Sequence, residues 1–227
     1  MSLSCLITFY NESDILLSIL EELQKISTLT QFVVVDDGST NGLAAKVQKR
    51  FPAVQLVVMR KNRGKADAVR QGMRLISADA VLLFDADLLR VKASEVSLAV
   101  KTFMRGSYDQ LIIENRGDND YLASILQKDL CLSGKRIMHT KALNAVLKEN
   151  IHRFELEVAI NKYAMEHNHR IGWVKSTAYN PHKIKKMGLL KGLEKDLTMT
   201  RQIVDYIGTI GYLEQMLYFA KLKNQKR

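Results

Sequence analysis

Four short apolar runs punctuate the first 90 residues, and the first three each lead into a stretch of helical character. CLITF is followed by Ile15, Leu16, Ile19, Leu20, Leu23, Ile26 and Leu29, which share one face at helical spacing. Asn11 or Ser13 would cap that helix, with Asp14 favourable in its first turn. FVVVDD reads as a second strand whose valines call for burial on both faces. A helix over about Gly42 to Arg50, a strand VQLVV, a helix over about Lys65 to Ile76 and a strand AVLLFDAD complete the series. Such alternation predicts a parallel sheet joined by right-handed crossovers, an α/β fold.

The second half is less regular. VSLAVKTFM reads as a helix and DQLII as a strand. Helices are expected over about Tyr121–Leu130, Thr140–Leu147 and Phe154–His167, and RIGWV as a late strand. A basic loop follows Pro181. A helix with Leu193, Leu197, Thr200, Val204 and Ile207 on one face then leads into a second helical piece ending in KLKNQKR. At 227 residues and 47% hydrophobic, the chain suits one sizeable domain with a helical appendage. Cys5 and Cys131 form no CxxC or Cys/His cluster and read as buried thiols. No stretch approaches the ~20 apolar residues of a membrane span. MSLSCLITFY has no basic n-region, so the expectation is a cytoplasmic protein without a signal peptide. The net charge of +10 favours anionic partners.

In open α/β sheets, ligands bind at the carboxyl ends of the parallel strands. YNES follows the first strand, DDGST the second, KNRGKAD the third, and DAD closes the fourth, so all four project to one rim. DDGSTNG serves either as a helix-capping turn or as a carboxylate site for the base or ribose of a nucleotide. Neither GxGxxG nor GxxxxGK[ST] is present. RKNRGKADAV places Arg60, Lys61, Arg63 and Lys65 around Gly64 at a helix start, either a solvated basic turn or a phosphate cradle. Asp85 and Asp87 point to the same face of a strand and repel unless a cation lies between them. Mg²⁺ or Mn²⁺ suits such hard oxygens; the alternative is that the two aspartates cap a loop and a helix.

CLITFYNES, VVVDDGSTNG, NRGKADAVRQG and LLFDADL, in this order and spacing, resemble the family-2 glycosyltransferases of the GT-A fold. The resemblance covers about residues 3–90 and implies a mostly parallel central sheet flanked by helices, with a helical C-terminal extension. It places the catalytic domain at 1–185, with a nucleotide-binding half over 1–90 and an acceptor half over 91–185, and the extension at 186–227. It also implies a nucleotide-diphosphate-sugar donor. Tyr10, Glu12, Asp37 and Asp36 would surround the base, and Lys65 the nucleotide or its phosphate. Asp85 and Ala86 would face ribose or metal, and Asp87 would hold a metal bridging the diphosphate. LSGKRIMHTKAL resembles an acceptor-side SGxR segment, placing Ser133, Gly134 and Arg136 beside the sugar or acceptor. FELEVAIN makes Glu157 the matching carboxylate. NPHKIKKMG resembles a segment closing over the phosphates, with His182 a third metal ligand and Lys183 on the leaving group. Three departures stand out: Thr8 and Phe9 replace the proline before the YNE aromatic, Ala66 the second glycine of GKG, and Asn41 a usual aspartate.

In a sugar transfer, Asp87, His182 and lysines such as Lys183 or Lys186 would stabilise the departing diphosphate. If the acceptor attacks from the opposite face, a carboxylate takes its proton. Glu157 is the candidate and Glu155 the second; the competing reading pairs Glu157 with Arg153 on a helix surface. With retention of configuration, Glu157 would orient the acceptor or sugar instead. The basic run over Lys183, Lys185, Lys186, Lys191 and Lys195 fits a phosphorylated, lipid-linked or carbohydrate acceptor and a peripheral contact with a membrane surface. It equally fits a lid over the donor, with the helix packed on the core or on a second copy. A related nucleotidyltransferase would carry a GxGxR loop after the first strand, which is missing. A non-catalytic nucleic-acid binder would show an aromatic-studded basic groove, also missing, so nucleic acid is not an expected partner.

Overall fold

The computed structural model describes residues 1–114, 128–152, 155–180 and 189–224; side chains at 128–129, 189–197, 199 and 224 stand outside that description. Seven strands form one sheet: β1 (Leu3–Phe9), β2 (Gln31–Asp36), β3 (Gln55–Val58), β4 (Ala80–Asp85), β5 (Gln110–Ile113), β6 (Arg136–His139) and β7 (Ile171–Val174). Their order is β3-β2-β1-β4-β6-β5-β7. β1 to β4 pair in parallel, as do β5 and β7. β6 alone runs the other way, antiparallel to both β4 and β5. The mixed α/β fold of the sequence reading is present. The reversed strand is the difference: Arg136-Ile137-Met138-His139 has a charged start and neither alternation nor a run of β-branched residues to mark it.

Helices α1 (Ile15–Gln24), α2 (Leu43–Arg50) and α4 (Ala93–Met104) cover one face of the sheet. α3 (Lys65–Met73), α6 (Thr140–Val146) and α7 (Leu156–Glu166) cover the other. The strand residues divide by parity: Val34, Leu82 and Phe84 face the first layer, and Val33, Val35, Val81 and Leu83 the second. Two-faced burial is why these strands read as unbroken apolar runs. Each such side chain contributes about 1.5–3 kcal/mol on burial. Cys5 and Cys131 are free and buried.

Asn11 is not the cap of α1. Its backbone sits at φ 49° and its side-chain oxygen accepts the Thr40 N–H at 2.9 Å, joining the ends of β1 and β2. Ser13 Oγ meets the Ile15 N–H at 3.4 Å instead. Asn41 explains its own departure from the family pattern: its amide donates to the Glu12 carbonyl at 2.7 Å, which an aspartate could not do.

A short helix α5 (Lys128–Cys131) precedes β6, and the long helix α8 (Leu189–Asn224) packs on α5 and α7. α8 breaks at Gly208, whose φ of 74° and ψ of 161° no helical residue shares, so the two helical pieces expected near the C-terminus meet there. Beyond the break, Phe219 is fully buried among Ile112, Leu130, Cys131, Ala164 and Ile171. Trp173 Nε1 donates to the Leu222 carbonyl at 3.3 Å, and Lys223 pairs with Glu114 at 2.9 Å. Among the described residues no helix is long and apolar enough to cross a membrane.

Candidate active site

The carboxyl ends of β1, β2 and β4 open on one rim. There the DDGS turn is welded to the basic turn that starts α3. Gly38, at φ +77°, lies so close that a Cβ would come within 2.5 Å of the Lys61 carbonyl carbon and 2.7 Å of the Asn62 nitrogen. Both oxygens of Asp37 accept backbone N–H groups, from Arg63 and Gly64, each at 2.8 Å. Burial raises the Asp37 carboxyl above the usual carboxylate range against those two bonds, and the neighbouring Asp67 and Asp36 charges add to the rise. Asp36 accepts the Ser39 N–H at 2.7 Å. The acidic pair therefore shapes the rim from below, with both residues almost wholly covered, while Tyr10 is 46% exposed above it. Arg60, Lys61 and Arg63 are exposed and Glu12 half-buried.

At the end of β4, Lys65 is the hub. Its ammonium lies 2.7 Å from Asp85 Oδ1 and 2.7 Å from Glu157 Oε1, uniting three residues from α3, β4 and α7. Burial works against the Lys65 charge, but the two carboxylates outweigh it and hold its pKa above the ordinary lysine value. Asp85 answers in kind: burial opposes its charge, and Lys65 outweighs burial and keeps the carboxyl below its ordinary value. Gly134 is pressed onto this cluster. A Cβ there would run into Asp85 Oδ1 and come within 2.5 Å of Lys65 Nζ.

Asp87 stands two residues on, and its Oδ1 accepts the Asn180 amide at 2.5 Å. An antiparallel bridge between Leu89 and Tyr179 brings that partner alongside. Ala86 is buried between the two aspartates. The pair offers hard oxygens of the kind Mg²⁺ and Mn²⁺ prefer, and Asp85 faces the Lys65 ammonium. Among the described residues no group of three or more His, Cys, Asp or Glu is arranged to hold a metal. A divalent ion bound mainly through substrate phosphates needs only one or two carboxylates, so the donor set fits. His182, Lys183 and the other lysines of that segment up to Lys186 lie outside the described residues, as does Arg153.

Ser133 and Arg136 turn inward. Ser133 Oγ donates to the Ile113 carbonyl at 2.8 Å. Arg136 is fully buried and donates to Ser133 O (2.8 Å), Asn161 Oδ1 (2.8 Å) and Cys131 O (3.2 Å). Burial lowers its pKa against the pull of Glu157, Cys131 and Asp85. Both residues underlie the site instead of lining it. Glu155 accepts the His152 N–H at 2.7 Å, closing the start of α7 and leaving Glu157 as the carboxylate on the cluster.

Two further residues escape a motif-based reading. Lys135 is wholly buried, donating to the carbonyls of Glu114 (2.9 Å) and Ala178 (3.3 Å), and burial pushes its pKa down to about 8. Asn161, one turn beyond Glu157, is the node that binds Arg136; its place in FELEVAIN was the available signal.

The model of the family described as Glycosyl transferase family 2 matches residues 4–154. An undecaprenyl-phosphate 4-deoxy-4-formamido-L-arabinose transferase from Serratia proteamaculans (strain 568) is 29% identical over 126 residues, covering 51% of this chain and 38% of that protein. The chain thus spans well under half the length of the curated relative it matches. Glucosyl-3-phosphoglycerate synthase from Mycobacterium tuberculosis shares the fold. Its complex with Mn²⁺, uridine diphosphate and glucosyl-3-phosphoglycerate aligns at TM-score 0.72 and 15% identity, over 95% of this chain and 80% of that one. Its complex with Mn²⁺, UDP-glucose and phosphoglyceric acid aligns at TM-score 0.73 and 17% identity, over 95% and 79%.

Proposed function

Because the chain belongs to glycosyl transferase family 2, we propose that it moves a sugar from a UDP- or GDP-sugar donor to an acceptor at the rim of β1, β2 and β4. The observation that carries this reading is the Lys65 cluster: Asp85 and Glu157 converge on one ammonium at 2.7 Å each, although Lys65 and Glu157 are 92 positions apart. Two carboxylates and a cation on the end of a strand, beside a rim with exposed Tyr10, Arg60, Lys61 and Arg63, fit the handling of a polyhydroxy, phosphorylated substrate. Mn²⁺-bound nucleotide in the glucosyl-3-phosphoglycerate synthase of the same fold supports the donor class.

The base lies near Tyr10, over the turn that Asp36 and Asp37 hold in shape. The positive end of α3 and the exposed Arg60, Lys61 and Arg63 draw the diphosphate. Asp87 would hold Mg²⁺ or Mn²⁺, with His182 as a further ligand, and the ion would supply charge neutralisation to the leaving diphosphate. Glu157 accepts the proton of the attacking hydroxyl, and Lys65 orients it against Asp85.

A phosphorylated or lipid-linked acceptor fits the basic C-terminal region. Support for peripheral contact with an anionic membrane comes from α8, where Ile210, Leu213 and Leu217 are 74%, 56% and 63% exposed at i, i+3 and i+7, with Lys221 exposed one turn on.

Thermal stabilisation by UDP or GDP with Mn²⁺ tests the donor site. The pair should raise Tm well beyond either component alone, and Asp87→Ala should abolish the metal-dependent part. Stabilisation by oligonucleotide instead, or undiminished metal-dependent binding in Asp87→Ala, would overturn the reading.

A further inference from the structure

The second half of α8 lies beyond the stretch that the family model matches, yet a buried chain of hydrogen bonds ties it to the Lys65 cluster. Gln215, 3% exposed, is the link. Its Nε2 donates to the Val158 carbonyl at 3.0 Å, in the residue next to Glu157. Its Oε1 accepts the Asn161 Nδ2 at 3.2 Å. Asn161 Nδ2 also donates to the Cys131 carbonyl at 2.9 Å, and Asn161 Oδ1 accepts from Arg136 Nη1 at 2.8 Å. Arg136 Nε then holds the Ser133 carbonyl at 2.8 Å. The next residue is Gly134, packed so close to the cluster that an added Cβ would strike Asp85 Oδ1 and Lys65 Nζ.

Resting on the glycosyltransferase reading, we propose that Gln215 is a positioning residue of the active site, and that α8 is part of the catalytic framework. One amide fixes two things at once. Through Val158 it sets the height of Glu157 on α7; through Asn161 and Arg136 it sets the turn that presses Gly134 onto Asp85 and Lys65. All three side chains of the chain are buried, so no water substitutes for a lost partner, and each bond missed leaves an unsatisfied group. The neighbouring Phe219 anchors the same helix by apolar contact alone, in the cluster of Ile112, Leu130 and Ala164. The two residues therefore separate two roles: Phe219 holds α8 in place, and Gln215 transmits its position.

The experiment compares Gln215→Met with Phe219→Leu in the full chain, at temperatures equally far below each variant's Tm. Sugar transfer, or donor hydrolysis in the absence of acceptor, should fall between about tenfold and a hundredfold in kcat for Gln215→Met, as expected for misplacement on the ångström scale. Nucleotide–Mn²⁺ binding should stay within twofold of the parent, and Phe219→Leu should keep its kcat. Amide hydrogen exchange over 131–136 and 157–161 should accelerate in Gln215→Met and not in Phe219→Leu. Should Gln215→Met fail to fold, Gln215→Asn, one methylene short, replaces it with the same expectations. Parental kcat in the Gln215 variant, or an equal loss in Phe219→Leu, overturns the proposal. If the parent shows neither transfer nor metal-dependent nucleotide binding, the glycosyltransferase reading falls. Exchange then decides the network alone, and unchanged exchange in Gln215→Met sinks it.

Discussion

The basic motif residues of the first 90 positions and the polar motif residues of the second half differ in burial. On the donor side, Tyr10, Arg60, Lys61 and Arg63 stand out into solvent at the ends of β1 and β3. On the other side, Ser133, Arg136 and Asn161 are fully buried, their polar atoms spent on carbonyls and on one another. The basic motif residues of the first half face solvent, while the second half's polar residues brace from beneath, as Asp36 and Asp37 do under the rim. Glu157 and Gly134 carry the second half's bracing up to the Lys65 cluster. Polar residues in a motif thus have two physical uses, and burial decides which: an exposed guanidinium is available to a ligand, while a desolvated one must satisfy its donors internally.

The largest test of this contrast is Glu157→Gln, at the second-half side chain that meets the Lys65 cluster. It should lower transfer by about 10²- to 10⁴-fold with nucleotide–Mn²⁺ binding intact. Parental activity would leave the acceptor half with bracing alone. A matched pair of arginines comes next. Arg136→Met strands the acceptors of Ser133 and Asn161, at about 1–3 kcal/mol each, and should cost about 2 kcal/mol or more in denaturant unfolding. Arg63→Ala should stay within about 0.5 kcal/mol of the parent and weaken donor binding instead. Equal losses of stability would break the comparison.

Lys135 sharpens it through pH. Its pKa falls from 10.5 to about 8 in the fold, so between those values the unfolded chain binds the extra proton and stability rises with pH. Relative to Lys135→Met, the parent should gain stability from pH 8 to 10, by no more than about 3 kcal/mol. A flat difference would mean that Lys135 does not titrate there. The smallest effect is expected at the exposed edge of α8. Leu213→Glu should leave Tm unchanged and lower co-sedimentation with phosphatidylglycerol vesicles severalfold; unchanged sedimentation would remove this stripe as a lipid contact.

The same contrast explains what the sequence could reveal. β1, β2 and β4 were legible because two-faced burial writes an apolar run and each run stops at a polar cluster. DAD and DDGS were legible because their geometry is local. The partners of those groups were not. Nothing near Lys65 announces Glu157, nothing near Asp87 announces Asn180, and Gln215 is one amide in an amphipathic helix. Arg136 was assigned beside the substrate because a motif fixes residue type and spacing but not whether a side chain turns up or down.

The reversal of β6 decides what the second half delivers to the rim. Since β5 ends and β6 begins at the edge where β1, β2 and β4 end, the residues just before β6 arrive at that edge, and Gly134 is set against Asp85 and Lys65 by chain direction alone.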